Sequence, residues 1–370
     1  MSARFLTVVL ERAFNMRDGF GREIDYMRIS VIDSCNLNCY YCNPCDNNEH
    51  CHALNILSVK EVLCIVRAAT RLGIKHFRLT GGEPLLHPQL DEMVLQIKKI
   101  SGVSSVSLTT NAVLLAQHAK WLKEAGIDSI NVSLDTIDAS EYERITKKPL
   151  LEEVKHGINA AIECGIRVKI NVVLTPQTDV VALTRYVAKK GTDIRFIEMM
   201  PVGEGHTNGV EPYKKVIGTL SKLYGEPCRI NTEKTKEINS GNDKRKIPDN
   251  GPAEYYSFHG LDIRVGLIQA IHGKFCDTCN RIRVTADGRL MPCLGSSVTM
   301  DLVPDSWDFA DDVEKDFAIV RALRAAIKAK PRCHNFNDNA VTYTKTTETK
   351  TTEIEAAEVN AARNMSRIGG

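Results

Sequence analysis

Residues 26–200 repeat one unit, in which a short strand is followed by a turn and an amphipathic helix. We predict strands at about 26–33, 75–80, 104–110, 128–134, 166–174 and 193–199. Helical patterns lie between the strands, at 58–72, 89–99, 114–125, 152–164 and 180–190. Alternating strands and helices build a parallel sheet through right-handed crossovers. Six such units predict an α/β fold, an incomplete (β/α)6 TIM-like barrel rather than a closed barrel of eight strands.

The predicted strands alternate between apolar and polar residues. A strand buried on both faces of a parallel sheet would instead read as nearly continuous apolar sequence. The polar residues of the second to fifth strands are His76, Arg78 and Thr80; Ser105, Ser107, Thr109 and Asn111; Ser129, Asn131, Ser133 and Asp135; and Arg167, Lys169 and Asn171. Since successive side chains point to opposite faces, helices cover the apolar face and the polar face lines a wet interior cavity. An antiparallel sheet with one solvated face is the alternative, which the intervening helices disfavour.

The chain of 370 residues has 12 cysteines and a net charge of +2. No small-residue cleavage site follows residues 1–16, so a secretory signal is not expected. Cysteines in a long chain that is not secreted argue for metal ligation rather than for disulfides. Neither a membrane nor nucleic acid is an expected partner, because no apolar run could span a bilayer and the charge is nearly balanced.

Three cysteines stand close together as C-x3-C-x2-C, at Cys35, Cys39 and Cys42. Three thiolates on a short loop can hold three corners of a four-iron cluster and leave the fourth iron open. Zinc is an alternative, although structural zinc sites more often pair cysteines as C-x2-C and close with a fourth ligand. Three unrelated buried thiols are a second alternative. The spacing favours the iron–sulfur cluster.

A glycine turn, Gly81-Gly82-Glu83-Pro84, directly follows the second predicted strand. In barrel-like α/β folds the loops at the carboxyl ends of the strands carry the site. Two glycines let a ligand approach the backbone, and Glu83 can accept a hydrogen bond from an ammonium group. Together with C-x3-C-x2-C, the turn resembles the radical S-adenosylmethionine (radical SAM) superfamily, in which the amino and carboxylate groups of S-adenosylmethionine (SAM) chelate the open iron.

A second cysteine group consists of Cys276, Cys279 and Cys293, which again offers three ligands. Zinc would need a fourth ligand here, and His272 or His259 could serve. A second iron–sulfur cluster with one open iron is the sharper interpretation.

Arg281 and Arg283 follow this second group at period two, so both side chains point to one side of a strand. A guanidinium presents a planar fork that suits phosphate oxygens. The predicted interior strand faces carry four further cations: Arg28, Arg78, Lys169 and Arg195. Surface ion pairs would explain any one of these residues but not a shared interior face. The six cations therefore predict a polyphosphate or polycarboxylate ligand.

Nearly the whole chain resembles the GTP 3′,8-cyclase family, which is also called the molybdenum cofactor biosynthesis protein A family. The stretches that carry the resemblance are Gly21-Arg22 with MRIS (27–30), CNLNCYYC (35–42), FRLTGGEPL (77–85), TTN (109–111), INVSLD (130–135), NVV (171–173), RFIEMMPVG (195–203), FCDTCNRIRVTADGRLMPCL (275–294) and the terminal Gly369 and Gly370. The last two stretches are the most discriminating.

The resemblance implies a lyase with two [4Fe-4S] clusters and SAM as cofactors. In the family, a 5′-deoxyadenosyl radical abstracts the C3′ hydrogen of GTP. The C3′ radical then attacks C8 of guanine, which gives (8S)-3′,8-cyclo-7,8-dihydroguanosine 5′-triphosphate. This is the first step of molybdenum cofactor (molybdopterin) biosynthesis.

The resemblance also implies roles for individual residues. The first cluster is on Cys35, Cys39 and Cys42, and the second, whose open iron meets guanine, is on Cys276, Cys279 and Cys293. SAM is expected at Tyr41, Gly82, Glu83, Thr109, Ser133, Arg195 and Met200. GTP is expected at Arg28, Arg78, Lys169, Arg281 and Arg283. Gly369 and Gly370 are expected to reach into the site and to be needed for catalysis, since glycines have no side chain to clash there.

Two departures from the family pattern bear on the site. His76 stands where the family usually has Lys, which weakens one phosphate contact because an unperturbed histidine is mostly uncharged at neutral pH. Cys45 follows Cys42 at C-x2-C, and it would exclude SAM if it closed the first cluster. We expect Pro44 and its neighbours to direct Cys45 elsewhere.

The expected organisation has four parts. Residues 1–20 are an N-terminal segment and 21–205 the radical SAM partial barrel. A C-terminal extension, 206–341, carries the second cluster and GTP-binding residues, and 342–370 are a flexible tether with the Gly-Gly tail.

We expect an external electron donor and a homodimer, and cyclic pyranopterin monophosphate synthase acts next in the pathway. Two oxygen-sensitive clusters imply a reducing compartment, the cytoplasm or alternatively the mitochondrial matrix. The competing functions are a radical SAM peptide maturase with an auxiliary cluster, an inactive paralogue, and a non-catalytic zinc and nucleotide-binding module.

Deleting Gly369 and Gly370 is predicted to abolish product formation while both clusters stay bound, because the terminal glycines are expected to enter the site without holding iron. Iron content and turnover of the truncated chain, measured side by side, check this. Full activity of the truncated protein would contradict it.

Overall fold

The computed structural model describes residues 16–42, 55–202, 209–230, 251–296, 298–302, 312–334 and 336. These residues build one sheet of twelve strands with helices packed on its apolar face. The strands are β1 (Tyr26–Ser30), β2 (His76–Thr80), β3 (Ser105–Thr110), β4 (Ser129–Ser133), β5 (Val168–Val173), β6 (Asp193–Ile197), β7 (Cys228–Ile230), β8 (Glu254–Phe258), β9 (Leu261–Ile268), β10 (Arg281–Val284), β11 (Arg289–Met291) and β12 (Met300–Asp301).

The described helices alternate with the strands of the first half of the chain. They are α1 (Val59–Arg71), α2 (Leu90–Lys98), α3 (Leu115–Glu124), α4 (Ala139–Thr146), α5 (Leu151–Glu163), α6 (Val180–Lys189), α7 (Gly218–Tyr224) and α8 (Asp312–Lys328). A short π-helix, Tyr213–Ile217, leads into α7. Helix α4 was not predicted, although the Asp138 side chain caps its first turn by accepting a hydrogen bond from Glu141 N at 2.8 Å.

Eight neighbouring strands, in the order β10-β1-β2-β3-β4-β5-β6-β9, pair in parallel. The predicted strand–helix units supply the central six, which confirms the α/β fold class. The strands β9 and β10, from the second half of the chain, extend the parallel sheet at its two ends. Within the described residues β12 and β7 end the sheet without pairing to each other, so the barrel is incomplete.

The predicted division at residue 205 separates chain segments that share this sheet. Strand β9 pairs with β6, and β10 pairs with β1. The C-terminal extension is therefore built onto both edges of the six-stranded unit through main-chain hydrogen bonds. The four-part division itself stays a prediction.

The apolar strand faces form the core. Met27, Phe77, Leu108 and Ile130 are fully buried, and they belong to one cluster with the inward side chains of the helices. Burial of such side chains contributes roughly 1.5–3 kcal/mol each. The polar faces are thereby directed to the opposite side of the sheet, as the alternation predicted. In the described part of the chain, no helix has the length and apolar character needed to cross a membrane.

Helices α3 and α5 approach closely at Gly157. A Cβ at Gly157 would lie 2.4 Å from the Ala112 carbonyl oxygen and 3.0 Å from Leu115 Cβ. Ala112 itself has a φ of 65°, so its backbone has little freedom to retreat. Only glycine fits at this crossing.

Gly157→Ala is predicted to destabilise the fold by about 1–3 kcal/mol, because overpacking against backbone outweighs the better helix propensity of alanine. Gly218→Ala is the matched control, since nothing lies within 4 Å of its Cβ position. That variant should gain about 0.5–1 kcal/mol. Urea unfolding under anaerobic conditions measures both, and equal shifts for the two variants would contradict the prediction.

Candidate active site

A cavity of about 1290 Å³ lies over the polar face of the sheet. Single-ligand pockets typically have volumes of about 300–1,000 Å³, so this cavity has room for two ligands side by side. Every predicted site residue in the described part of the chain lines it: Arg28, Cys35, Cys39, Tyr41, Cys42, Arg78, Gly82, Glu83, Thr109, Ser133, Lys169, Arg195, Met200, Cys276, Cys279, Arg281, Arg283 and Cys293. Cys45, Gly369 and Gly370 lie outside the described residues.

The first cysteine group lines the cavity with buried thiols. Burial raises the pKa of Cys35 to about 11 and that of Cys42 to about 12, and burial also raises the pKa of Cys39. The neighbouring thiols add to the increase at Cys39 and Cys42, so the three sulfur atoms are close enough to repel one another as thiolates. A bound metal centre would supply the positive charge that keeps such thiols deprotonated.

Helix α4 supports the first cysteine loop. Asn38 N donates to the Thr146 carbonyl at 3.0 Å, and Tyr40 N donates to the Ile145 carbonyl at 3.1 Å. The Tyr41 hydroxyl donates to Asp135 Oδ2 at 2.5 Å. The cysteine loop is therefore hydrogen-bonded to the end of helix α4 and to a residue two positions after β4.

The glycine turn packs against the same loop. A Cβ at Gly82 would lie 2.1 Å from the Ser34 carbonyl oxygen, so a side chain there would collide with the residue before Cys35. Glu83 N also donates to the Ser34 carbonyl, at 2.8 Å. The absence of a side chain at Gly82 lets the turn pack directly against the cysteine loop, and Gly82 also lines the cavity. The predicted contact of Gly82 with a ligand stays a prediction.

The Glu83 carboxylate is buried among protein donors. Thr110 Oγ1 donates to it at 2.6 Å, Asn111 N at 2.7 Å and Leu85 N at 3.1 Å. Burial outweighs these bonds and raises the pKa of Glu83 to about 7. Asn111 continues the network, because its Nδ2 lies 3.8 Å from Cys35 Sγ. Glu83 thus ties the turn, the end of β3 and the cysteine loop together.

The second cysteine group lies against β10. Burial opposes thiolate formation at Cys279, but the Lys330 ammonium and the Arg281 guanidinium outweigh it and lower its pKa. Burial raises the pKa of Cys293, against the nearby charge of Lys330. The two cysteine groups therefore have different surroundings, with acids beside the first and cations beside the second.

Neither of the two histidines considered as a fourth zinc ligand lines the cavity beside the second cysteine group. His272 Nδ1 is held by Glu198, and neither His272 nor His259 lines the cavity. Among the described residues, no group of three or more His, Cys, Asp or Glu side chains is placed to hold a single metal ion. Two groups of three thiols fit iron–sulfur clusters better than single zinc ions, since a cluster spans more space than one ion.

Three arginines form a row across adjacent strands at one register. Arg28 on β1 is paired with Arg283 on β10 and with Arg78 on β2. Like charges directly opposite one another on neighbouring strands are destabilising. Burial, together with the adjacent guanidiniums, lowers the pKa of Arg28 and brings that of Arg283 to about 10. An anion in the cavity would relieve this repulsion.

The Tyr26 side chain contacts two guanidiniums in the cavity, those of Arg78 and Arg281. Arg78 Nε donates to the Tyr26 hydroxyl, and the guanidinium carbons of Arg78 and Arg281 each lie 5.9 Å from the centre of its ring. Such cation–π contacts hold the two cations without neutralising them. His76, the other register neighbour of Tyr26, is half-buried, and its Nδ1 lies 2.8 Å from Ser105 Oγ. Burial lowers the pKa of His76, so the ring is neutral at neutral pH.

Some cavity-lining residues have a buried polar atom with no hydrogen-bond partner among the described residues. These atoms include Arg195 Nη2, Asn131 Oδ1 and Arg167 Nη2. Arg195 is oriented by Asn171, whose Oδ1 accepts from Arg195 Nε at 2.9 Å. Buried polar groups are nearly always paired, so these atoms indicate a polar ligand at this position.

Two family models match the chain. The Radical SAM superfamily matches residues 29–182, and Molybdenum Cofactor Synthesis C matches residues 192–336. A GTP 3′,8-cyclase of Clostridium perfringens (strain SM101) is 36% identical over 324 residues, which cover 87% of this chain and 95% of the relative. A GTP 3′,8-cyclase of Listeria monocytogenes is 36% identical, and the match covers 86% of this chain and 92% of the relative. The chain belongs to the GTP 3′,8-cyclase family.

The solved structures support the fold. Streptococcus suis SuiB bound to S-adenosylmethionine is 15% identical, and the match covers 81% of this chain and 65% of that chain with a TM-score of 0.53. This likeness concerns the radical SAM fold alone. Membership in the GTP 3′,8-cyclase family makes the chain an enzyme, and its radical SAM domain implies a [4Fe-4S] cluster and SAM.

Sequence reasoning missed four residues that shape the site of this family member: Tyr26, Asp135 as the partner of Tyr41, Arg22 and Lys330. Arg22 Nη1 donates to the Cys276 carbonyl at 2.7 Å, and Lys330 Nζ donates to the Arg281 carbonyl at 2.8 Å. Arg22 could have been identified from the sequence, because it belongs to the Gly21-Arg22 stretch of the family pattern. Lys330 could not, because its contacts come from distant parts of the chain.

Asp135→Asn is predicted to change how stability depends on pH. Burial raises the pKa of Asp135 from 3.8 to about 6. Between these two pKa values the unfolded chain releases its proton first, so the wild type loses stability as pH rises, by about 3 kcal/mol in total. Asparagine cannot titrate, so the variant lacks this loss.

The measurement is urea unfolding of the cluster-free protein from about pH 4 to about pH 7. As pH rises, the unfolding free energy of the wild type should fall relative to that of Asp135→Asn. The exposed Glu124→Gln is the control, whose difference from wild type should change little. A pH-independent difference for Asp135→Asn would show the prediction wrong.

Proposed function

We propose that this chain is a radical SAM GTP 3′,8-cyclase, which converts GTP into (8S)-3′,8-cyclo-7,8-dihydroguanosine 5′-triphosphate in the first step of molybdenum cofactor biosynthesis. The observation that carries the proposal is the row of Arg283, Arg28 and Arg78, which lines the same cavity as both cysteine groups. A site of this kind suits a polyanionic substrate between two metal centres.

GTP binds through its phosphates to the cationic part of the cavity. The residues that hold it are Arg28, Arg78, Lys169, Arg281 and Arg283. Burial and mutual repulsion lower the pKa values of Arg28, Arg281 and Arg283, so a triphosphate removes an unfavourable interaction as well as adding charge-assisted hydrogen bonds. Tyr26 keeps Arg78 and Arg281 apart and directed at the same ligand.

SAM binds at the first cysteine group. Its residues are Tyr41, Gly82, Glu83, Thr109, Ser133, Arg195 and Met200. Arg195 Nη2 and Asn131 Oδ1, which lack partners among the described residues, offer a donor and an acceptor to SAM. The Glu83 carboxylate has accepted three protein hydrogen bonds, so one acceptor position is left for the SAM ammonium.

Cys35, Cys39 and Cys42 would hold the first [4Fe-4S] cluster, which with SAM would supply the radical that removes the C3′ hydrogen of GTP so that C3′ can bond to C8 of guanine. The chain's own contribution is to hold C3′ near the first cysteine group and to keep water away. Cys276, Cys279 and Cys293 would hold a second [4Fe-4S] cluster, which would supply an iron for binding guanine. The cationic residues hold the phosphates in the same cavity.

Further parts of the proposal concern the surroundings of the reaction. Gly369 and Gly370 complete the site from the end of the chain, and an external donor supplies the electron. Cyclic pyranopterin monophosphate synthase then uses the product. A homodimer in the cytoplasm, with the mitochondrial matrix as the alternative compartment, stays a prediction. Bacterial relatives support the cytoplasm.

Anaerobically reconstituted protein, given SAM, GTP and dithionite, is predicted to form 5′-deoxyadenosine only when GTP is present. Cys35→Ala should abolish this formation because one corner of the first cluster is lost. Cys64→Ala is the matched control, since Cys64 is a buried thiol in α1 that does not line the cavity.

Liquid chromatography with mass spectrometry measures 5′-deoxyadenosine and the triphosphate product in the same sample. Zinc-loaded, colourless protein would point instead to a nucleotide-binding module without catalysis. Iron-loaded protein that forms 5′-deoxyadenosine without consuming GTP would contradict GTP as the substrate and favour the peptide maturase.

A further inference from the structure

A buried lysine lies next to the second cysteine group. Lys330 follows α8 and is 3% exposed. Its Nζ donates to the Arg281 carbonyl and to the Pro292 carbonyl, at 2.8 Å in both cases. Arg281 comes two residues after Cys279, and Pro292 directly precedes Cys293. One ammonium group therefore joins the two chain segments that carry two of the three thiols.

The charge of Lys330 acts on two of the three thiols. An ammonium has three donors, two of which the carbonyls take. Lys330 favours the charged form of both Cys279 and Cys293, so its ammonium lies close to both side chains. The two carbonyl bonds fix the position of this charge beside the second cysteine group.

The charge of Lys330 has no carboxylate partner within 4.0 Å in the described part of the chain. Two neutral carbonyls satisfy its hydrogen bonds but do not balance its charge, and an unbalanced buried charge is costly. A cluster held by thiolates is anionic and becomes more so on reduction. Such a cluster would be the missing counter-charge.

The neighbouring backbone is fixed by a second cation. Arg22 donates to the Cys276 carbonyl, to the Pro331 carbonyl at 2.6 Å and to the Arg332 carbonyl at 2.9 Å. Its Nε forms an ion pair with Asp18 at 2.5 Å, so this cation is balanced. The loop of Cys276 and the segment after Lys330 are thereby held together, which keeps the ammonium in place.

We propose that Lys330 is a positioning residue for the second cysteine centre, which joins the segments of Cys279 and Cys293 and places a fixed positive charge beside the cluster they hold. The charge favours the reduced form, so it raises the reduction potential of the second cluster above what the same thiols would give alone. This inference rests on the proposed function, because the second cluster is part of it.

The opposite arrangement at the first group supports this interpretation. Cys39 lies near Asp135, and Cys35 lies near Glu83, and both carboxylates disfavour extra negative charge there. Carboxylates therefore lie beside the first cysteine group and a lysine beside the second, so the added positive charge is particular to the second group.

The test isolates the second cluster. The parent protein is the full chain with Cys35, Cys39 and Cys42 replaced by alanine, so that every signal comes from the second group. In this parent we compare Lys330→Gln, which keeps hydrogen-bonding ability without charge, Lys330→Arg, which keeps the charge, and Lys330→Met, which keeps neither. Lys328→Gln is the matched control, because this exposed residue loses the same charge two positions away.

The readouts are iron per chain and the reduced fraction of the cluster in a redox titration followed by electron paramagnetic resonance. For Lys330→Gln we expect nearly full iron and an about tenfold lower ratio of reduced to oxidised cluster at a fixed potential, which equals about 59 mV for one electron. Lys330→Arg and Lys328→Gln should match the parent. Lys330→Met should show the same redox shift and also hold less iron.

Two results would overturn the inference and differ from a failure of the proposed function. A Lys330→Gln titration that coincides with the parent would remove the electrostatic role. A Lys330→Arg shift as large as that of Lys330→Gln would assign the effect to shape rather than charge. If the parent itself holds no iron, the second cysteine group does not bind a cluster. That result would contradict this part of the proposed function and the inference together.

Discussion

The parallel pairing of β10 with β1 is the constraint on which the site depends. It joins segments that are 255 residues apart, with Asn280 Nδ2 donating to Asp25 Oδ1 at 2.6 Å at the start of the ladder. Without this pairing Arg283 would not stand beside Arg28, and the second cysteine group would not reach the cavity. Main-chain hydrogen bonds between β10 and β1 thus place the second cysteine group relative to the first.

The site keeps a repulsive arrangement of charges that the rest of the fold stabilises. Arg283, Arg28 and Arg78 lie side by side on neighbouring strands, where like charges weaken pairing. The fully buried apolar face beneath them supplies the compensating stability. A polyanionic ligand would neutralise the charges of the row. The same residues that lower the stability of the ligand-free protein would therefore raise its affinity for the ligand. The two cysteine groups also differ in the charges beside them. Carboxylates lie near the first group, and Lys330 lies near the second.

The period-two alternation of the strands was enough to predict the sheet, the face that carries the cavity and the cations Arg78 and Lys169. Motif spacing predicted both cysteine groups. Local patterns could not reveal that β9 and β10 complete the parallel sheet, because strand neighbours far apart in sequence are chosen by tertiary packing. Lys330 and Tyr26 were missed for the same reason. Helix α4 was missed although Asp138 is a good N-cap, since its eight residues carry a short apolar pattern.

The central claim is that the cavity brings the C3′ hydrogen of GTP to a radical formed at the first cysteine group. The most direct measurement uses anaerobically reconstituted protein with dithionite, SAM and GTP deuterated at C3′, followed by mass spectrometry of the 5′-deoxyadenosine. We predict that deuterium appears in the 5′-deoxyadenosine. Unlabelled 5′-deoxyadenosine would keep the radical chemistry but contradict C3′ of GTP as the position from which hydrogen is taken.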